Sequence, residues 1–202
     1  MPRMRYMKPA VRSAPGRKPS GPRLLTAEEF QKLYADEECE LVEGKVFMMT
    51  FAGGIHGYIE LILTGHLLRF VRRRRLGILT PGDVGYILRR NPDTVRAPDI
   101  GFVRRARVPR SGIPKSFWPF PPDLAVEIVS PNDRLSLVEA KAWDWISAGT
   151  REVWVVNPRT REVRVHSKGK AVRILDDRAV LKCRLLPGFS LKVSEIFTSR
   201  IV

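Results

Sequence analysis

The segment DLAVEIVS, residues 123 to 130, sets the hardest condition on how this chain can fold. Its apolar run from Leu124 to Val129 has the nearly continuous character of a central strand covered on both faces, yet Glu127 stands in the middle of it. An ionised carboxylate buried without a partner costs several kcal/mol, so the fold must bring a cation, a hydrogen-bond network or a metal to that point. The strand period of two puts Asp123, Ala125, Glu127 and Val129 on one face, and Leu124, Val126 and Ile128 on the other. Glu127 therefore shares its face with small apolar neighbours.

The rest of the chain supplies the elements around this strand. Thr26-Ala-Glu-Glu29 has capping-box spacing ahead of a short helix. CELVEGKVFMM reads as two strands turning at Glu43-Gly44, a hairpin that carries Glu40. Apolar residues at 55, 58, 59, 62, 63, 67, 70 and 71 recur at helical spacing and predict a long amphipathic helix. It ends in Arg72 to Arg75, where cations suit the helix dipole and Gly77 suits the cap; a phosphate-facing role is the alternative reading of that run. Short strands follow at GILT, VGYILRR and DIGFV, the last opening at Asp99. Residues 105 to 122 read as a Pro-rich loop packed by Phe117, Trp118 and Phe120. A helix closed by Gly149 comes after the Glu127 strand, then a hairpin of EVWVVNP and REVRVHS, then C-terminal edge strands and a short helix at VSEIF. This order predicts an α/β or α+β domain with a mixed sheet flanked by helices.

Two further residues bear on Glu127. Asp99 begins another apolar strand 28 residues earlier, and if the two strands are neighbours their carboxylates converge. Paired carboxylates with open water positions are what Mg²⁺ requires, and the ion neutralises the charge. The pair alone is equally compatible with a glycosidase, or with a carboxylate satisfied by arginine or backbone amides. Lys141 lies in the following helix, whose core stripe is Val138, Ala142 and Trp145. At about 100° per residue it falls about 60° from the centre of that stripe, so it can point into the same cleft or snorkel along its edge.

The segments ELVEG (40 to 44), VRAPDI (95 to 100), PPDLAVEIVSPNDR (121 to 134) and KAWDWISAGTREVWVVNP (141 to 158) occur in an order and at spacings that resemble the Uma-two family of restriction-endonuclease-like proteins. The resemblance covers roughly residues 24 to 197 and implies the PD-(D/E)xK nuclease fold. It further implies that Asp99 and Glu127 hold Mg²⁺, with Mn²⁺ as a substitute, that Glu40 is a further acidic site residue, and that Lys141 positions or activates the attacking water. Val129 occupies the position where a conventional ExK motif has its lysine, and the resemblance places that lysine on the following helix, at Lys141. Cys39 departs from the family, which tends to have an aromatic residue there. His56, in GGIHG, matches a histidine that the family often has, and reads as structural or supporting rather than catalytic; His66 and His166 carry no signal.

Composition narrows the partners. The 36 Lys+Arg against 21 Asp+Glu give a formal charge of +15, which favours polyanions. Residues 1 to 23 hold seven of the basic residues, no acid and five prolines, leaving +8 for residues 24 to 202. That segment reads as a disordered basic arm, which either grips phosphates or solubilises the chain, ahead of one domain over 24 to 202. Two distant cysteines form neither a disulfide framework nor a metal motif, and no apolar run spans a bilayer. The expectation is a soluble, cytoplasmic, Mg²⁺-dependent DNA endonuclease, acting as a homodimer if it cuts both strands. The alternative is a nucleic-acid-binding or assembly protein that keeps the fold without turnover, and a third reading makes Glu127 purely structural.

Overall fold

The computed structural model describes residues 23–131 and 133–198; the predicted N-terminal arm, apart from Arg23, lies outside them. In chain order the elements are α1 (Ala27–Leu33), β1 (Cys39–Val42), β2 (Lys45–Met48), α2 (Gly54–Arg74), β3 (Gly77–Thr80), β4 (Tyr86–Arg89), β5 (Thr94–Arg96), β6 (Ile100–Arg104), β7 (Leu124–Ile128), α3 (Leu135–Ala148), β8 (Glu152–Asn157), β9 (Glu162–Ser167), β10 (Arg173–Leu175), β11 (Val180–Lys182), β12 (Ser190–Lys192) and α4 (Val193–Ile196). A single 3₁₀ turn, Arg105–Arg107, follows β6.

Six strands form the main sheet in the order β10-β9-β8-β7-β6-β3, with β7 and β8 parallel and every other neighbouring pair antiparallel. The strand bearing Glu127 is thus interior, and all five of its residues are buried. Its two faces split as the period of two requires. Leu124, Val126 and Ile128 pack with Ile59, Leu63, Leu67 and Val71 of α2 and with the C-terminal elements. Ala125 and Val129 pack on the opposite side with Ala142, Trp145 and Ile146 of α3, and with Trp118 from the aromatic loop. A second sheet, β2-β1-β5-β4, holds Glu40 and packs against α1. The C-terminal strands divide: β10 is an edge strand of the main sheet, and β11 with β12 forms a separate ribbon. This is the mixed α+β architecture the element order predicts.

Local chemistry explains most boundaries. Thr26 and Glu29 form the complete capping box of α1. Glu43 (φ 51°) and Gly44 (φ 74°) both occupy the left-handed region, as a primed two-residue hairpin turn demands. The end of α2 differs from expectation, because Arg75 rather than Gly77 takes the left-handed capping position (φ 54°). Gly77 instead opens β3, where an added Cβ would lie 2.1 Å from the Val103 carbonyl oxygen, so the glycine serves close strand approach. Asp99 also sits one residue before its strand, which begins at Ile100.

The small sheet is tied to α1 by Asp93, 6% exposed, which accepts hydrogen bonds from the backbone N–H groups of Ala27 (2.8 Å) and Asn91 (3.1 Å) and from Arg90 (2.7 Å). Burial works against its charge, but those amides and the guanidinium outweigh it and hold its pKa below the usual range. A carboxylate with a depressed folded pKa contributes stability above its unfolded value of about 3.9, and that stability is lost as pH falls through the folded value. Asp93→Ala is therefore expected to cost about 2 kcal/mol at pH 7, a melting shift of about 4–8 °C. Melts at pH 7 and pH 3 check this: the gap between variant and wild type should narrow at the lower pH.

Candidate active site

Ile100 pairs with Val126 and Gly101 with Ala125, so the antiparallel register carries Asp99 back to the level of Glu127. The carboxylates of the two neighbouring strands meet at one end of the sheet. Asp99 precedes its strand, and its carboxylate meets His56 of α2 as well as the backbone of β7.

Lys141 of α3 closes the α3 side. Its ammonium lies 3.1 Å from Glu127 Oε2 and 3.0 Å from Glu40 Oε1, and donates to the Ala97 carbonyl at 3.1 Å. Its three protons are thereby matched to three acceptors. The other oxygen of Glu127 accepts from Trp145 Nε1 at 2.7 Å, one turn further along α3. Glu40 also receives Arg96 at 2.7 Å and the Ala97 N–H at 3.2 Å, while Arg96 reaches on to Asp144 at 2.7 Å. Asp99 accepts the Ile128 N–H at 2.5 Å and stands 3.3 Å from His56 Nε2. The structure brings Glu40, Glu127 and Lys141 into direct contact, with Asp99 tied to the residue after Glu127. The compensating cation for Glu127 is a lysine, not an arginine.

Electrostatics set the groups apart. Burial, with Asp99 and Glu40 adding to it, pushes the Glu127 carboxyl up to about 7 against the pull of Lys141 and the Trp145 hydrogen bond. Burial also opposes the charge on Glu40, but Lys141 and Arg96 outweigh it and lower its pKa. The ammonium of Lys141 is likewise opposed by burial, yet Glu127, Glu40 and Asp99 keep it firmly protonated.

Sequence reasoning did not single out Glu60, and His56, read as structural or supporting, is buried beside Asp99. Both lie on α2, four residues apart and so on one helical face. His56 is buried on the same stripe as Ile59, Leu63 and Leu67. One ligand atom from each of His56, Glu60 and Asp99 lies within 4.8 Å of the other two. Burial raises the Glu60 pKa, and the charge of Asp99 adds to that. A polar pair at i and i+4 on an otherwise apolar helix stripe was the available signal. Arg96 was also missed, since nothing in VRAPDI marks it as the second cation on Glu40.

The donor set fits a divalent cation. Four acidic side chains, Glu40, Glu60, Asp99 and Glu127, stand in this region beside the fixed cations Lys141 and Arg96, and Arg96 is shared with Asp144. Hard oxygen donors of this kind are the surroundings that Mg²⁺ or Mn²⁺ takes. Asp99 and Glu127 are the pair on the α3 side able to hold it.

A family model described as "Uma2: Putative restriction endonuclease" matches residues 27–194. The chain belongs to the Uma2 family. That span contains Glu40, Asp99, Glu127 and Lys141, and leaves out the N-terminal arm. The Uma2 fold is seen again in the crystal structure of "a putative nuclease belonging to DUF820" from Anabaena variabilis ATCC 29413. It superimposes with a TM-score of 0.76 at 21% identity, covering 86% of this chain and 97% of that one. No curated protein matches the chain.

Proposed function

We propose that this Uma2 protein is a divalent-metal-dependent endonuclease that hydrolyses DNA phosphodiester bonds, with Asp99 and Glu127 holding the metal and residues 24–202 forming the functional domain. The observation that carries this reading is the convergence of Glu40 from β1, Asp99 from the β5–β6 link, Glu127 from β7 and Lys141 from α3. A bound Mg²⁺ or Mn²⁺ supplies Lewis-acid stabilisation of negative charge on the phosphate. The chain does the positioning. Lys141, steered by Glu40 and the Ala97 carbonyl, orients the attacking water and offsets charge developing on the phosphoryl oxygens. Trp145 fixes the rotamer of Glu127, and the Ile128 N–H that of Asp99. Arg96 holds Glu40 charged so that Glu40 can hold Lys141.

The net charge of +15 supports a polyanionic substrate, through phosphate contacts that carry affinity without choosing a sequence. The arginines at 72–75 do not line the centre: Arg72 is 16 residues from His56 along α2, about 24 Å, and the run acts as a helix stop. Both cysteines are free, which suits a reducing cytoplasm, and among the described residues no helix is long and apolar enough to cross a membrane. A two-fold homodimer would present two such centres to the two strands of a duplex.

One observation favours a second reading, a DNA-binding or assembly protein without turnover: both Glu127 oxygens and all three Lys141 protons already have partners within the fold. Supercoiled plasmid separates the two. Pure protein with Mg²⁺ or Mn²⁺ is expected to nick or linearise it, and excess EDTA to stop the conversion. Retarded but uncut plasmid under every metal condition selects the second reading.

A further inference from the structure

Between Val46 and Ile59 the chain carries no Asp, Glu, Lys or Arg, although 28% of all its residues are charged. This stretch contains the link from β2 to α2, and both ends of that link adjoin the centre. Phe47 and Met48 of β2 pair with Glu40 and Cys39 of β1, and His56 of α2 lies 3.3 Å from Asp99. The link is fixed at two points. The Met49 N–H donates to the Glu38 carbonyl at 2.8 Å, and the Gly53 carbonyl accepts from the His56 N–H at 3.0 Å to open α2. A Cβ added at Gly53 would lie 3.9 Å from Pro131, in the segment leaving β7, so the link runs past the end of the Glu127 strand.

What it presents there is apolar. Phe51 is 90% exposed, and Met48, Met49 and Ile55 are exposed with it. Hydrophobic side chains exposed singly need no explanation, but four within eight residues of one uncharged link do. Five residues separate Phe51 from His56, at most about 18 Å of chain. Along one strand of B-form DNA, at about 3.4 Å per nucleotide, that is about five nucleotides. An aromatic ring held so close to the proposed cleavage position has the nucleobase as its apolar partner, because every base has a π-face and stacking on it needs none of the charge this link lacks. A continuous duplex hides those faces, and an unpaired base offers them. The charge of +15 draws a polynucleotide to this surface and opposes the docking of a second copy of the chain on the same link.

We propose that the link over residues 49–53 is a base-stacking platform, with Phe51 packing on an unpaired nucleobase beside the cleavage position, so that the protein takes DNA whose bases are unpaired there in preference to continuous duplex. The inference rests on the nuclease reading only for the place of the scissile phosphate. It assigns to Phe51 a positioning role on the substrate, separate from the carboxylates and lysine of the centre.

The test is fluorescence anisotropy of a labelled DNA single strand and of the matching duplex, with full-length protein in EDTA so that nothing is cut. Phe51→Ala is expected to weaken single-strand binding by about 10-fold, within the range of one stacked base, and duplex binding by less than about 2-fold. Phe51→Trp should restore wild-type affinity. A wholly abasic strand of the same length should bind wild type and Phe51→Ala alike. Because Phe51 faces solvent, neither variant should change the melting temperature. Equal single-strand affinity in wild type and Phe51→Ala overturns the inference, as does an equal loss on single strand and duplex, or a loss that persists on the abasic strand. So does a halved sedimentation mass in Phe51→Ala with DNA binding intact, which gives the link to a second copy. Metal-dependent plasmid cleavage with unchanged Phe51→Ala binding removes this inference alone. A single-strand loss in a protein that never cuts plasmid upholds the platform and removes turnover, and no DNA binding by wild type removes both.

Discussion

Glu127→Gln is expected to slow metal-dependent plasmid cleavage by about 10³-fold while leaving the melting temperature unchanged or slightly raised. The rate effect follows from removing one of the two anionic metal ligands proposed above: stabilisation of charge by the metal is worth several kcal/mol, and about 4 kcal/mol is about 10³-fold. The stability effect has the opposite sense. Burial already pushes the Glu127 carboxyl up to about 7, so its charge sits in the fold under protest. The amide oxygen of Gln can still accept from Trp145, and although its NH₂ then faces the Lys141 ammonium, that lysine retains Glu40 and the Ala97 carbonyl and no buried carboxylate charge remains on the strand, so the two effects offset. Initial rates of supercoiled-to-nicked conversion, read beside a thermal melt, check both halves. Equal rates for wild type and variant at every metal concentration would sink the assignment of Glu127 as a metal ligand.

Lys141→Met should do the reverse and damage both properties. Removing one partner of a buried ion pair costs about 3–5 kcal/mol, because the remaining charge is left without compensation. Here Glu127 loses its fixed cation and Glu40 loses one of two, with Arg96 still in place. A loss of about 3 kcal/mol is expected, a fall of about 6–12 °C in melting temperature for a chain of this size. Cleavage should fall by at least about 10²-fold, since no ammonium remains to orient water or offset charge. The double variant Lys141→Met with Glu127→Gln should regain part of the stability and none of the activity. The regained stability measures how much of the Lys141→Met loss comes from leaving Glu127 without its cation.

The legible part of this site was the part carried by strands. A period of two fixes which side Glu127 faces, whereas a helix periodicity of about 100° leaves Lys141 free to enter the cleft or snorkel along its edge, and its contact with Glu127 decides for the cleft. The antiparallel pairing of β6 with β7 completed the convergence of Asp99 with Glu127. What stayed hidden depended on long-range packing. Glu60 is unremarkable until α2 is laid across the end of β6, and Arg96 is one of many arginines until β5 turns its side chain toward Glu40. Gly77 misled for a local reason: glycine after a basic helix end looks like a cap, but here the tight approach of β3 to β6 claims it and leaves Arg75 to cap the helix. The family resemblance read from four motifs agrees with the match over residues 27–194. The reading of His56 as a structural or supporting residue fits its burial beside Asp99.

Between the end of β5 at Arg96 and the start of β6 at Ile100 lie only Ala97, Pro98 and Asp99, and this link passes from the small sheet to the large one. Ala97 gives its N–H to Glu40 and its carbonyl to Lys141, and Asp99 gives its carboxylate to the N–H of Ile128. The connector is pinned on both sides, so it has no slack. One inserted residue there would leave either sheet able to pair as before, yet it would slide Asp99 out of step with Glu127 and release Lys141 from its backbone acceptor. The length of this three-residue span is thus as much a specification of the site as the identity of its side chains.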